Sequence, residues 1–327
     1  MGFNIDRVIT SLRSARSVLP RTTDQDGRVL PLPSPRAVTE AVSDLTSALF
    51  PRRVGGASAS RNEALDYFVG HTLGRALDAL QTQVIRELAF TASLSSDGLV
   101  NAEQTSHSIV QELADGLPAI LEVLYTDVRA AYDGDPSAKS QDEVLLSFPG
   151  VKAIIHHRLA HELYKLDLPI IARIVAESSH SQTGIDIHPG ARIGSSFFID
   201  HGTGVVIGET AVIGDDCTIY QAVTLGGTSL YRGTKRHPTL ERGVVVGAGA
   251  KVLGGFTVGE GAKIGSNAVV VKPVPAGATA VGNPARIIDS ERDSAREQKA
   301  EQMGFSAYGV TRDMDDPVSK ALHGLLD

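Results

Sequence analysis

The chain has 327 residues, a net charge of −7, one cysteine, no tryptophan and few aromatics. The length suits two domains, and the acidic balance removes electrostatic support for a nucleic-acid role. A single cysteine excludes an internal disulfide and points to a reducing cytosol, and no apolar run is long enough to span a membrane.

The first segment, 1–36, begins as a short amphipathic helix and passes into a linker with Pro31, Pro33 and Pro35. Its arginines (Arg7, Arg13, Arg16, Arg21) lack the apolar core of a secretory signal. A solvated helix face is therefore preferred to an amphipathic transit segment, and a cytoplasmic location is expected. An α-helical domain is expected over 37–183. Val38, Val42, Leu45 and Leu49 recur at helical spacing before Pro51. Longer helices are expected over 62–92 and 102–132, the second kinked at Pro118 and broken by Tyr132-Asp133-Gly134-Asp135-Pro136. A helical hairpin follows over 150–166 and 169–179. These apolar faces exceed what one thin layer buries, which suggests packing on another subunit.

The pattern then changes to a period of six. Ile187, Ile193 and Ile199 are in phase, then Ile207, Ile213, Ile219 and Leu225, then Val246, Val252, Val258, Ile264 and Val270. Six matches neither a helix nor a simple strand. It is the hexapeptide repeat of a parallel β-helix, in which three hexads form a triangular coil and the branched side chains point inward. Glycine follows seven of these positions, where a corner disfavours a Cβ. The β-helix is expected over 184–288, with an excursion over 227–243 and regular coils ending near Pro273 and Pro275. A tail, 289–327, carries a charged, helix-compatible stretch over 290–302 and otherwise little hydrophobic pattern.

The phase breaks twice, and a plain structural solenoid gains nothing from either break. The first is Asp200-His201-Gly202-Thr203-Gly204. A slip of this kind re-aims side chains, as bulges do beside active sites. Asp186 precedes His201 by 15 positions, close to one coil of 18. The pair is placed on adjacent rungs, near enough for a carboxylate–imidazole hydrogen bond that would make His201 a general base. A surface histidine beside an unrelated corner carboxylate is the competing account. The second break contains Lys235-Arg236-His237-Pro238. It is either an ordinary surface loop or a polar, cationic flap in which Arg236 clamps a carboxylate. Gly226-Gly227 lets backbone approach a ligand, and Lys251, Lys263, Lys272 and Arg286 are candidate phosphate contacts. His156, His157 and His161 lack the further ligands that zinc requires, so no metal is expected. Cys217 is a packed thiol rather than a nucleophile.

These runs resemble the serine O-acetyltransferase family, within the hexapeptide-repeat acyltransferases. The similarity rests on Asp186-Ile187-His188-Pro189, Asp200-His201-Gly202-Thr203-Gly204 with Gly208-Glu209-Thr210, Val223 to Thr228, Arg236-His237-Pro238, Gly247 to Lys251 and Gly282 to Arg286. Asp135-Pro136 and the hairpin with Arg158 and His161 also match, so the similarity covers about 130–288. The resemblance implies an α + β fold: an N-terminal α-helical domain followed by a left-handed parallel β-helix, assembled as a homotrimer or as a hexamer of paired trimers. It implies acetyl transfer from acetyl-CoA, as co-substrate, to the hydroxyl of L-serine, with L-cysteine as feedback inhibitor. By the same resemblance His201 is the base and Asp186 its partner. Arg236 and His237 hold the serine carboxylate across a subunit boundary, and Asp135 and Asp200 meet its ammonium. Gly226, Gly227, Thr228, Ala248 and Lys263 line the CoA channel. Three features depart from the family, the first being an N-terminal region longer than usual. The loop before Arg236 reads Gly233-Thr234-Lys235 and is about one residue longer than usual, which bears on acceptor choice; homoserine or another small amino alcohol is the alternative acceptor. The chain ends Leu325-Leu326-Asp327 rather than in isoleucine, which argues against a complex with cysteine synthase. A regulatory subunit that binds without turnover, and a metal site like that of a γ-carbonic anhydrase, are the readings from other classes.

Overall fold

A computed structural model describes residues 3–16, 23, 29–56, 62–94 and 101–288. The expectations for the tail over 289–327 and for most of the 17–28 linker fall outside the described residues. Among the described residues, seven helices come first: α1 Ile5–Arg16, α2 Pro35–Leu49, α3 Asn62–Leu94, α4 Ala102–Gly134, α5 Gln141–Ser147, α6 Pro149–Lys165 and α7 Pro169–Thr183. Fifteen short strands follow: β1 Asp186–Ile187, β2 Arg192–Ile193, β3 Phe198–Ile199, β4 Val206–Ile207, β5 Val212–Ile213, β6 Thr218–Ile219, β7 Thr224–Gly226, β8 Thr239–Leu240, β9 Val245–Val246, β10 Lys251–Leu253, β11 Thr257–Val258, β12 Lys263–Ile264, β13 Val269–Val270, β14 Thr279–Val281 and β15 Arg286–Ile288. No described helix is long and apolar enough to cross a membrane.

The helices start and stop where local chemistry satisfies their free backbone groups. Ser34 caps α2 by accepting from the Ala37 amide, and Pro35 occupies the first turn. The buried Glu87 carboxylate on α3 accepts the Ile170 and Ile171 amides, so one helix supplies the N-terminal cap of another, α7. Gly184 closes α7 at φ 70°, a left-handed cap that suits glycine. Two details differ from expectation. α4 runs unbroken through Pro118 and ends at Gly134, two residues beyond Tyr132. α5 was not expected; Ser140 accepts from the Glu143 amide, while the Glu143 side chain accepts from the Lys139 amide. Such paired capping stabilises a seven-residue helix too short to show a period.

The strands form three parallel sheets along the faces of a left-handed prism, in the orders β1-β4-β7-β10-β13, β2-β5-β8-β11 and β3-β6-β9-β12-β14. Eleven of the twelve in-phase aliphatics are buried; Ile193 is partly so. Each fully buried side chain of this size contributes roughly 1.5–3 kcal/mol before entropy. The small residues Ala191, Ala211, Cys217, Ala250, Ala262 and Ala268 are buried at corners. Regular coiling continues past Pro273 and Pro275, since β14 pairs in parallel with β12. The antiparallel β15 then closes the edge of the third sheet.

Register measures both breaks. Val206 pairs with Thr224 and Lys251 with Val269, each 18 positions on. Asp186 pairs with Val206, 20 positions on, and Thr224 with Lys251, 27 positions on. The first coil thus carries two extra residues and the third carries nine, while the prism above and below is undisturbed.

Candidate active site

The two extra residues of the first coil lie at the corner between β3 and β4. His201 there has φ 54°, with Gly202 at 82° and Gly204 at 76°. Left-handed backbone at a non-glycine residue is uncommon, and surrounding structure must hold it. Asp200 N–H bonds to Ile219 O and Gly204 N–H to Gly184 O, tying the corner to the segments of the same chain on either side of it. A Cβ on Gly202 would overlap Ile185, so only glycine lets the corner close. The result turns the imidazole outward, with its side chain 59% exposed, and sets its Nδ1 3.7 Å from Asp200 Oδ1.

Helices fix this corner from behind. A Cβ on Gly150 would overlap Ile199 O, and one on Gly134 would overlap the Phe198 ring, so α6 and α4 rest closely on β3. Arg158 makes a two-pronged contact with buried Asp127, at 2.6 and 2.9 Å, and donates to Ile193 O and Gly194 O. Asp127 and Thr126 also accept the amides of Phe197 and Ser196. Asp135, which follows α4, is brought to Asp200. Burial lifts the Asp200 carboxyl above its usual range, His201 opposes that, and Asp135 reinforces it.

The structure thus brings Asp135, Asp200 and His201 together. The expected Asp186–His201 hydrogen bond is not formed among the described residues. Asp186 lies on the outward face of β1, lining an open groove of about 820 Å³ with Arg173 and His188, while the left-handed turn aims His201 toward Asp200.

The nine-residue excursion returns at the next corner, between the first and second sheets. Thr210, between β4 and β5, receives it there. Thr210 Oγ1 accepts from the amides of Arg236 (2.9 Å) and His237 (3.1 Å). Thr210 N–H donates to His237 Nδ1 at 3.1 Å, and the hydroxyl lies 2.9 Å from the same nitrogen. Glu209 accepts from Arg236 (2.7 Å) and from the Tyr164 hydroxyl (3.4 Å). Burial opposes it, yet the Arg236 hydrogen bond and the nearby His188 hold the Glu209 carboxyl below its usual range. Arg236 Nε is buried without a partner. His188 packs edge-on against Tyr164, and burial beside Arg173 lowers its pKa to about 4. Glu209, Thr210, Tyr164 and His188 had no assigned role in the sequence, although Gly208-Glu209-Thr210 stood among the matching runs.

The residues expected at CoA divide between the two corners. Gly226, Gly227 and Thr228 open the excursion, and Gly227 abuts Arg236 and His237. Ala248 lies on the His201 edge of the prism, linked along it by Ala222 N–H to Thr203 O and Gly249 N–H to Gln221 O. Lys263 is on the adjoining sheet, in β12. Among the described residues, no hydrogen bond or ion pair joins the His201 group to the Arg236–His237 group.

Other candidates have structural partners. His156 and His161 bond to the carbonyls of Lys152 and Pro189, and His157 is buried against His161. No three metal-binding side chains cluster among the described residues. Burial raises the Cys217 thiol to about 11, and it donates to Glu241 O.

The bacterial transferase hexapeptide (six repeats) family profile matches residues 237–272. A plasmid-encoded serine acetyltransferase of Synechococcus elongatus is 47% identical over 288 residues, covering 84% of this chain and 90% of that protein. A serine acetyltransferase of Mycobacterium tuberculosis is 53% identical over 175 residues, covering 54% of this chain and 76% of its own. The crystal structure of serine acetyltransferase 1 from Entamoeba histolytica with L-cysteine superposes with a TM-score of 0.64 at 37% identity, covering 74% of this chain and 86% of that one. A likeness of this extent, running through both the helices and the coils, means that the chain belongs to the serine acetyltransferase family.

Proposed function

We propose that this serine acetyltransferase works through His201 as general base, at a site completed by Arg236 and His237 from a second copy of the chain. The reaction moves acetyl from acetyl-CoA to L-serine, giving O-acetyl-L-serine and CoA. The observation that carries the residue assignment is the two-residue insertion that presents an exposed imidazole beside Asp200 and Asp135.

Serine hydroxyl is a weak nucleophile until its proton is taken during attack. His201 accepts that proton as the serine oxygen bonds to the thioester carbonyl carbon. The tetrahedral oxyanion needs donors, and amides of the glycine-rich segment at Gly226-Gly227 are the candidates. Collapse breaks the C–S bond, and the leaving thiolate takes the proton from the imidazolium. Asp186, on the strand tied to the His201 corner, is assigned to orient the ring once substrate is bound, since such hydrogen bonds often tighten only in the complex. Asp135 and Asp200 supply negative charge for the serine ammonium. Arg236, held by Glu209, and His237 supply donors for its carboxylate. Gly227, Thr228, Ala248 and Lys263 are assigned to CoA. L-Cysteine, bound in the Entamoeba structure, differs from serine by sulfur for oxygen and would compete for the same contacts.

The test is thiol release from acetyl-CoA with L-serine and with L-homoserine. Wild type is expected to prefer serine, and His201→Ala to lose about 10²–10⁴-fold in kcat. Equal turnover by the variant would reject the assigned base.

A further inference from the structure

We propose that Thr210 is the positioning residue that makes His237 a hydrogen-bond donor at Nε2, and so sets how the acceptor's carboxylate is held. This rests on the role given to His237 above. Two polar groups of Thr210 meet one ring nitrogen: its amide, which can only donate, bonds to Nδ1 at 3.1 Å, and its hydroxyl lies 2.9 Å from the same atom. The hydroxyl oxygen is meanwhile engaged by the amides of Arg236 and His237, which orients its hydrogen toward the ring. An Nδ1 flanked only by donors is an acceptor, so the proton of a neutral imidazole sits on Nε2. No described residue bonds to Nε2, which lies over Gly208 and Gly227.

The charge environment agrees. Burial disfavours the imidazolium, Arg236 and Lys235 add to that, and Glu209 opposes it, with a net pKa below the ordinary value. His188 is the other titratable group that interacts with the ring. A neutral ring with the opposite tautomer would turn a lone pair toward a carboxylate and repel it. With Thr210 in place, the same ring offers N–H beside the Arg236 guanidinium. The arrangement recognises an α-carboxylate without placing a third mobile cation next to Arg236 and Lys235.

The experiment uses the full-length enzyme as wild type, Thr210→Val, Thr210→Ser and His237→Ala, with two readouts. The first is the serine KM against kcat in the thiol-release assay. The second is the ring signal of His237 in histidine-labelled protein, assigned by its loss in His237→Ala. Wild type is expected to show protonated Nε2 and bare Nδ1 at neutral pH. Thr210→Val keeps the amide donor but loses the hydroxyl that anchors the Arg236 and His237 amides, so it is expected to weaken that tautomer preference and raise the serine KM about tenfold, with a smaller change in kcat. Thr210→Ser, which keeps the hydroxyl, is expected to restore both. A Thr210→Val enzyme with wild-type KM and a wild-type ring signal would overturn the assignment. A wild-type serine KM in His237→Ala would instead overturn the role of His237, and the ring signal would still decide that of Thr210.

Discussion

Gly208 has no side chain where the ring of His237 needs room: a Cβ there would overlap the imidazole. The glycine also follows Ile207, an inward position of the coil, so one residue serves both the repeat and the site. Gly208→Ala is expected to push His237 off Thr210 and raise the serine KM several-fold, with less effect on the KM for acetyl-CoA. Steady-state kinetics with each substrate varied would check this; an unchanged serine KM would mean the ring is not held where the carboxylate binds. At this scale the sequence was partly informative. His201, Arg236 and His237 stood out because they interrupt a strict rhythm. Thr210 did not, because its partners lie 26 and 27 positions away and reach it only when the excursion folds back. Coil spacing places Asp186 one rung from His201, and the resemblance pairs them, but neither fixes a hydrogen bond. Spacing sets the rung, whereas the left-handed backbone at His201 sets the direction of its ring.

At the scale of elements, the helices matter to chemistry through one junction. Arg158 on α6 bonds to Asp127 on α4 and to two carbonyls at the end of β2, and Asp127 and Thr126 take two amides just before β3. The segment that leads into Asp200 and His201 is thus fastened to two helices through buried Asp127 and the half-buried Arg158 and Thr126. Asp127→Ala would leave the Arg158 guanidinium uncompensated in a nearly buried position, where the loss is about 3–5 kcal/mol. Urea denaturation of the variant should show a destabilisation of that order, and a midpoint equal to wild type would show the junction to be dispensable. Helical periodicity made the long helices legible, because each buries one stripe. It could not reveal α5, whose seven residues depend on caps, nor the Asp127–Arg158 contact, whose members lie 31 positions apart on separate helices.

At the scale of the molecule, the prism was the most legible feature, since every third hexad returns to the same face and the inward residues repeat the same chemistry. Its consequence for function comes from the two insertions. The two-residue insertion puts His201 at one corner of the first sheet, and the nine-residue insertion puts Arg236 and His237 at the next corner, with the width of that sheet between them. On the roles proposed above, one copy alone presents two half-sites, a base and a carboxylate clamp, on different edges. In the three-fold assembly proposed for this chain, one corner of each prism would meet the neighbouring corner of the next and complete a site at every boundary. The direct test is to mix two inactive variants, His201→Ala and Arg236→Ala, under conditions that let subunits exchange, and to follow thiol release with L-serine. Sites that draw the intact base from one copy and the intact clamp from another should restore turnover that neither variant shows alone. Exchange confirmed by differential tagging, with no recovered turnover, would contradict a site shared between copies.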